Sequence, residues 1–195
     1  MLSVRLDSRN DLEEWRGKAR QLLAAGMAPH HVVWRVAGEE SGLFEAGDDL
    51  LPEAEGPVGR VPRKFMELAE QVIQNADPER FAHLYRVLWR LQDDPALLAN
   101  AGDRDTVLLS RLASAVRRDA HKMKAFVRFR SLIADGEETY LAWFEPDHYV
   151  LEATAPFFTR RFAGMKWGIV TPYSSAWWDT ENLGFGPGGR KSDVP

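Results

Sequence analysis

The chain has 195 residues, 45% apolar and 28% charged, enough for a core that folds without a disulfide or metal staple. It contains no cysteine, which excludes a thiolate nucleophile, cysteine-ligated zinc, a disulfide and an iron–sulfur cluster held by this chain. The net charge of −4 argues against a general polyanion binder, but it is an average. Residues 1–110 hold 13 Lys/Arg against 19 Asp/Glu, net −6, while residues 111–195 hold 12 against 10, net +2.

In chain order, LSVRL at 2–6 alternates like a short strand, and Asp7 to Asp11 offer turn and N-cap chemistry. Leu12, Trp15, Ala19, Leu22 and Leu23 then recur at helical spacing, with Gly26 placed as a C′ stop and Pro29 beyond it. HHVVWRV at 30–36 reads as a strand, and parallel pairing with the first would make a small β-α-β unit. Residues 37–55 carry seven acids and no base, a solvated loop around a short strand at 42–45, or an acidic contact surface. From Pro62, Phe65, Leu68, Ala69 and Val72 form one helical stripe. Asp77-Pro78 opens a second helix with Phe81, Leu84, Tyr85, Leu88 and Trp89 on one face, and Asp93-Asp94-Pro95 repeats the start signal.

The segment from Asp105 to Met123 is the most legible helix. Leu109, Leu112, Ala113, Val116, Ala120 and Met123 share an arc of about 100°, with Arg111, Ser114, Arg117, Arg118, His121, Lys122 and Lys124 opposite; Asp119 alone projects at the edge of the apolar arc. The period then changes to two: Val127, Phe129 and Ile133 alternate with Arg128, Arg130 and Leu132, Asp135-Gly136 supplies a hairpin turn, and TYLAWFE at 139–145 returns. A two-residue turn sets Arg128 opposite Trp143, a cation–π geometry. A helix is expected over 147–163, kinked or divided at Pro156, followed by strands at 165–171 and 175–179 and a Gly/Pro-rich tail resembling a linker. The expected architecture is α+β: an N-terminal β-α-β element with its acidic loop (1–60), then an α+β domain (61–183) with a helical middle and a C-terminal antiparallel sheet crossed by a helix. A linker toward a further domain (184–195) closes the chain.

No H-E-x-x-H, Walker loop or G-x-S-x-G elbow is present, and GFGPGG lacks the helix that a phosphate loop requires. The run RRDAHKMKAFVRFR at 117–130 sets six positive charges against one acid. It has two readings: a solvated helix face with strand arginines packed on aromatics, or a surface that tracks phosphates and binds in a salt-dependent way. The second makes Arg117, Arg118, His121, Lys122, Lys124, Arg128 and Arg130, with Arg160 and Arg161, the nucleic-acid-binding residues. His121, Asp119 and His148 are the acid–base candidates if the chain is an enzyme, against an exposed spectator histidine and a structural partner for Asp119. Glu145, Asp147 and His148 are metal-capable, but three residues within four positions at a helix start cap better than they converge on one ion, so neither metal nor cofactor is expected.

Two strings together, RRDAHKMKAFVRFR at 117–130 and FEPDHYVLEATAPFFTRRFAGMKWGIVTP at 144–172, resemble a bacterial domain-of-unknown-function family described as a probable DNA-metabolism protein. The resemblance covers about residues 60–180. It implies genomic company: a putative DNA-repair radical-SAM protein as neighbour, and in another branch fusion ahead of a uracil-DNA glycosylase-family domain. The function it implies is a DNA-binding accessory domain in base repair, with DNA and those two proteins as partners; the alternatives are an enzyme acting on damaged nucleotides or DNA ends, and a protein-interaction scaffold. The chain lacks the water-activating and histidine motifs of the glycosylases. With no apolar stretch near the ~20 residues of a membrane span and no signal-type h-region at the N-terminus, the sequence reads as soluble, cytoplasmic and without membrane contact.

Overall fold

The computed structural model describes residues 1–38, 59–134 and 137–194. The expected strand at 42–45, most of the acidic loop and the Asp135-Gly136 turn lie outside the described residues. The chain divides into two compact units, Met1–Ser114 and Ala115–Pro195.

The first unit opens with β1 (Leu2–Leu6), α1 (Leu12–Ala24) and β2 (Val32–Val36). The strands pair in parallel from Leu2↔Val32 to Leu6↔Val36, the β-α-β unit expected. The Asp11 carboxylate caps α1 by accepting from the Glu13 and Glu14 amides, and Gly26 follows the helix with φ 65°, a conformation that suits glycine. Helices α2 (Arg63–Val72) and α3 (Arg80–Arg90) follow. The Asp77 side chain accepts from the Glu79 amide at 2.8 Å, but regular helix begins only at Arg80, two residues beyond Pro78. Trp15, Leu22, Phe65, Phe81, Leu84, Tyr85 and Leu109 lie at the centre of this core. Arg80 is buried among them because its guanidinium has acceptors on every side: the carbonyls of Ile73, Asp77 and Arg9 at 3.1, 2.9 and 2.6 Å.

The long helix α4 (Arg104–Phe126) starts where Asp103 accepts from the Asp105 and Thr106 amides. Its apolar arc is buried at Leu109, Ala113, Val116 and Met123, with Asp119 equally buried among them. In the second unit, β3 (Arg130–Ala134) pairs antiparallel with β4 (Glu137–Trp143) in the register of a two-residue connection, with Ala134↔Glu137 and Arg130↔Leu141. Strand structure begins later than expected, because the helix continues to Phe126.

The helix expected over 147–163 is shorter, α5 (Leu151–Arg161), and Pro156 lies inside it without dividing it. Pro156 is exposed, so water can reach the turn of the helix whose hydrogen bond the proline ring removes. The sheet has five strands in the order β3-β4-β5-β6-β7, with β5 (Trp167–Val170), β6 (Ser174–Trp178) and β7 (Leu183–Pro187). It is mixed rather than antiparallel throughout. The connection from β4 to β5 runs through α5, which returns the chain to the starting end of the sheet, so β5 lies parallel to β4 with Tyr140↔Trp167 and Trp143↔Val170. The remaining neighbours are antiparallel hairpins. β7 occupies part of the segment expected as linker: its glycines carry no apolar alternation, yet its backbone completes a ladder with β6.

One side of this sheet carries the core. Ala142, Trp167, Ile169 and Ala176 pack with Val116 and Met123 of α4 and with Leu151, Ala155 and Phe158 of α5. The β6–β7 turn is held by the Asp179 carboxylate, which accepts from the Glu181 and Asn182 amides at 2.8 and 2.6 Å, and Thr180 within it has φ 89°. A β-branched residue is disfavoured there. Thr180→Gly is expected to raise unfolding free energy by roughly 0.5–1 kcal/mol, seen as a higher urea midpoint with an unchanged slope.

Candidate nucleic-acid interface

Side chains alternate along a strand, so the register assigns the face opposite the core. Arg130, Leu141, Gly168, Trp177 and Gly184 form one row across the five strands, and Trp143, Val170, Ser175 and Gly186 form the next. At the β3–β4 end of this face lies a cleft of about 340 Å³ lined by Phe126, Arg128, Arg130, Leu141, Trp143, Lys191 and Val194. Among the described residues, the three charged ones that line it are all cationic.

Each wall has a local cause. Arg128 follows the last turn of α4, and its guanidinium donates to the Ala125 and Val127 carbonyls at 2.7 and 3.0 Å, a cation at the negative end of a helix. It therefore turns toward the helix end while sharing the cleft with Trp143. The Trp143 indole N–H donates to Glu145 at 2.7 Å, which fixes the ring. Lys191 and Val194 arrive on the tail after β7. The Gly189 amide donates to the Thr171 carbonyl at 3.0 Å, and at Gly188 a Cβ would sit 2.4 Å from the Pro172 carbonyl oxygen, so only glycine permits that approach. Sequence reasoning missed Lys191, which has no local pattern around it; the clustered glycines before it were the available signal for a close backbone approach.

The nine basic-site residues named from sequence do not form one surface. Arg128 and Arg130 line the cleft. Lys122 is one turn from Phe126 on the same side of α4, and it faces Asp147 at 3.7 Å in an exposed pair of little energetic weight. Lys124 lies over the Phe157 ring of α5 at 5.7 Å, and Arg161 over Phe162 at 5.3 Å, both on the helical side of the sheet. Arg160 is exposed in the last turn of α5; Arg117, Arg118 and His121 are exposed on α4.

The acid–base candidates are likewise separated. Asp119 and His121 are two residues apart on a helix and so point to different sides. The buried Asp119 carboxylate accepts from the His148 amide at 2.8 Å, and the Tyr173 hydroxyl donates to the His148 carbonyl, so the 144–150 segment is tied to α4 on one side and to the β5–β6 turn on the other. Burial pushes the Asp119 carboxyl above its ordinary range, reinforced by the negative charge of Asp147 and opposed by the His148 amide. The Glu145 and Asp147 carboxylates turn to Trp143 and Lys122, and His148 meets Asp119 through its backbone amide. Among the described residues no cluster of three or more His, Asp or Glu could hold a metal ion, and no helix is long and apolar enough to cross a membrane.

The second unit is thus an α+β module with helices on one side of a mixed sheet and a basic, aromatic-lined cleft on the other. The chain belongs to the family described as a domain of unknown function, DUF4130, whose model matches residues 78–185, from just before α3 into β7. No curated protein and no solved structure matches it.

Asp119→Ala removes the carboxylate that accepts from the His148 amide and is expected to cost about 1–3 kcal/mol; Asp119→Asn retains an acceptor and should cost less. Because the folded carboxyl titrates above its unfolded value, its contribution to stability is fully present below the ordinary aspartate range and is lost as pH rises through the raised folded value. Urea titrations of wild type and Asp119→Asn across mildly acidic pH should differ in slope with that sign.

Proposed function

We propose that the chain is a DNA-binding accessory module in DNA base repair, acting beside a uracil-DNA glycosylase-family domain and a radical-SAM repair protein. The observation that carries the DNA-binding part is the cleft. Arg128, Arg130 and Lys191 gather there with Trp143 and Phe126, and among the described residues no acidic one lines it. Guanidinium and ammonium groups neutralise phosphates and release counterions, while adjacent rings offer surface to bases and sugars. The chain's net negative charge suits such a module, since it suppresses indiscriminate polyanion binding and leaves attraction local to the cleft. The repair context rests on the resemblance of residues 117–130 and 144–172. An enzymatic role for Asp119 and His121 has less support, because the carboxylate is committed to a backbone amide and the imidazole lies on another side of the helix.

Fluorescence anisotropy with a labelled oligonucleotide tests the interface. Arg130→Glu with Lys191→Glu should weaken binding at least tenfold at low salt and flatten the plot of log affinity against log salt by roughly 0.9 per lost duplex phosphate contact. Arg160→Glu with Arg161→Glu, on the helical side, should change affinity little. Unchanged affinity in the first pair, or loss confined to the second, would overturn the assignment. The repair role is read separately, by excision assays of the glycosylase domain alone and joined to this chain.

A further inference from the structure

Beyond the cleft, the same sheet face carries a second aromatic ring whose placement the cleft does not explain. Trp177, central on β6, is 42% exposed, although its neighbours across the ladders are Gly168 and Gly184. A Cβ on Gly168 would lie 2.4 and 2.6 Å from Cζ3 and Cε3 of the Trp177 indole and 2.7 Å from Leu141 Cδ2. The six-membered ring therefore rests on the glycine of β5, at a height no side chain would allow. At its other end, the indole N–H donates to Ser175 Oγ at 2.9 Å, and a Cβ on Gly186 would approach that same hydroxyl at 3.0 Å. The indole is laid across the sheet over a glycine floor, pinned by a hydrogen bond, with its outer surface open.

Leu141 meets the ring over Gly168 and also lines the basic cleft, so an apolar strip runs from the cleft to Trp177. Two inter-strand spacings of about 4.8 Å put Leu141 and Trp177 roughly 10 Å apart sideways. A ring immobilised in advance loses little entropy when a flat partner stacks on it. The partner that offers flat, apolar faces at intervals along a polyanionic backbone is a nucleic acid, and only unpaired bases expose those faces.

We infer that the sheet face opposite the core is a platform for single-stranded DNA: phosphates are held at Arg128, Arg130 and Lys191, and unpaired bases stack on Trp143 and Trp177. This rests on the cleft as the phosphate-binding site. It assigns Trp177, Gly168 and Ser175 to binding and makes unpaired DNA, rather than the duplex, the preferred form.

The test uses the whole chain and three labelled probes of one length: an oligo-dT strand, a duplex, and a strand of abasic sites that keeps the phosphates and lacks bases. Wild type should bind oligo-dT more tightly than the other two. Trp177→Leu should weaken oligo-dT binding roughly 5- to 100-fold and leave the abasic strand unaffected, while Trp177→Phe retains most of the affinity. Gly168→Ala, whose methyl group must lift the indole, should reproduce the Trp177→Leu loss, with circular dichroism confirming that each variant is folded. If Trp177→Leu and Gly168→Ala bind oligo-dT like wild type while Arg130→Glu with Lys191→Glu does not, the platform is wrong and the cleft stands. If the duplex is bound as tightly as oligo-dT, the preference for unpaired DNA is wrong.

Discussion

The second unit depends on one topological constraint: β4 and β5 run parallel, so the chain must leave the sheet between them and cross back. That crossing is α5, and it covers the face that α4 also covers through Val116 and Met123. Both helices bury their apolar sides on Ala142, Trp167, Ile169 and Ala176, which concentrates hydrophobic burial on one side of the sheet. The other side carries Arg130, Trp143 and Trp177 at solvent-accessible positions, beside Leu141, Gly168 and Gly184 and the buried Val170 and Ser175.

Electrostatics divides the same way. Inside the helical layer, charge is tolerated where backbone groups satisfy it. Asp119 is buried because the His148 amide meets its carboxylate, and the compensation is incomplete, since burial still raises its titration. In the first unit Arg80 is satisfied by three carbonyls. At the cleft the balance differs: Arg128 spends donors on the end of α4, while Arg130 and Lys191 stand where solvent reaches them. The buried charges hold segments together; the solvent-accessible ones are available to a polyanion.

Local patterns in the sequence specified much of this. The arc of α4 is buried at Leu109, Ala113, Val116 and Met123 as its spacing predicts, the β-α-β unit pairs in parallel, and β3 and β4 pair antiparallel with Ala134 opposite Glu137. Illegible were the features that depend on non-local pairing. Nothing within TYLAWFE or MKWGIVT says whether those strands run together or opposed. β7 hides because Gly184 and Gly186 give it no alternation, although its backbone groups are what the ladder uses. The basic run was visible as charge, but a helix turning every 3.6 residues and a strand every 2 send its members to different sides. Arg128 and Arg130 reach the cleft while Lys124 reaches Phe157, and Lys191, more than fifty residues downstream, is recruited by a glycine approach with no charge signature.

The tail gives the cleft two walls of unequal stiffness. Arg130, Leu141 and Trp143 belong to paired strands, whose spacing the ladders fix. Lys191 and Val194 belong to a segment rooted at Gly188 and Gly189 against the turn after β5, beyond which a single 3-10 turn runs over Lys191–Asp193. A wall held at its root yields more readily than one built into a sheet. The cleft thus has one wall set by strand ladders and one tied to the sheet at the Gly188–Gly189 root.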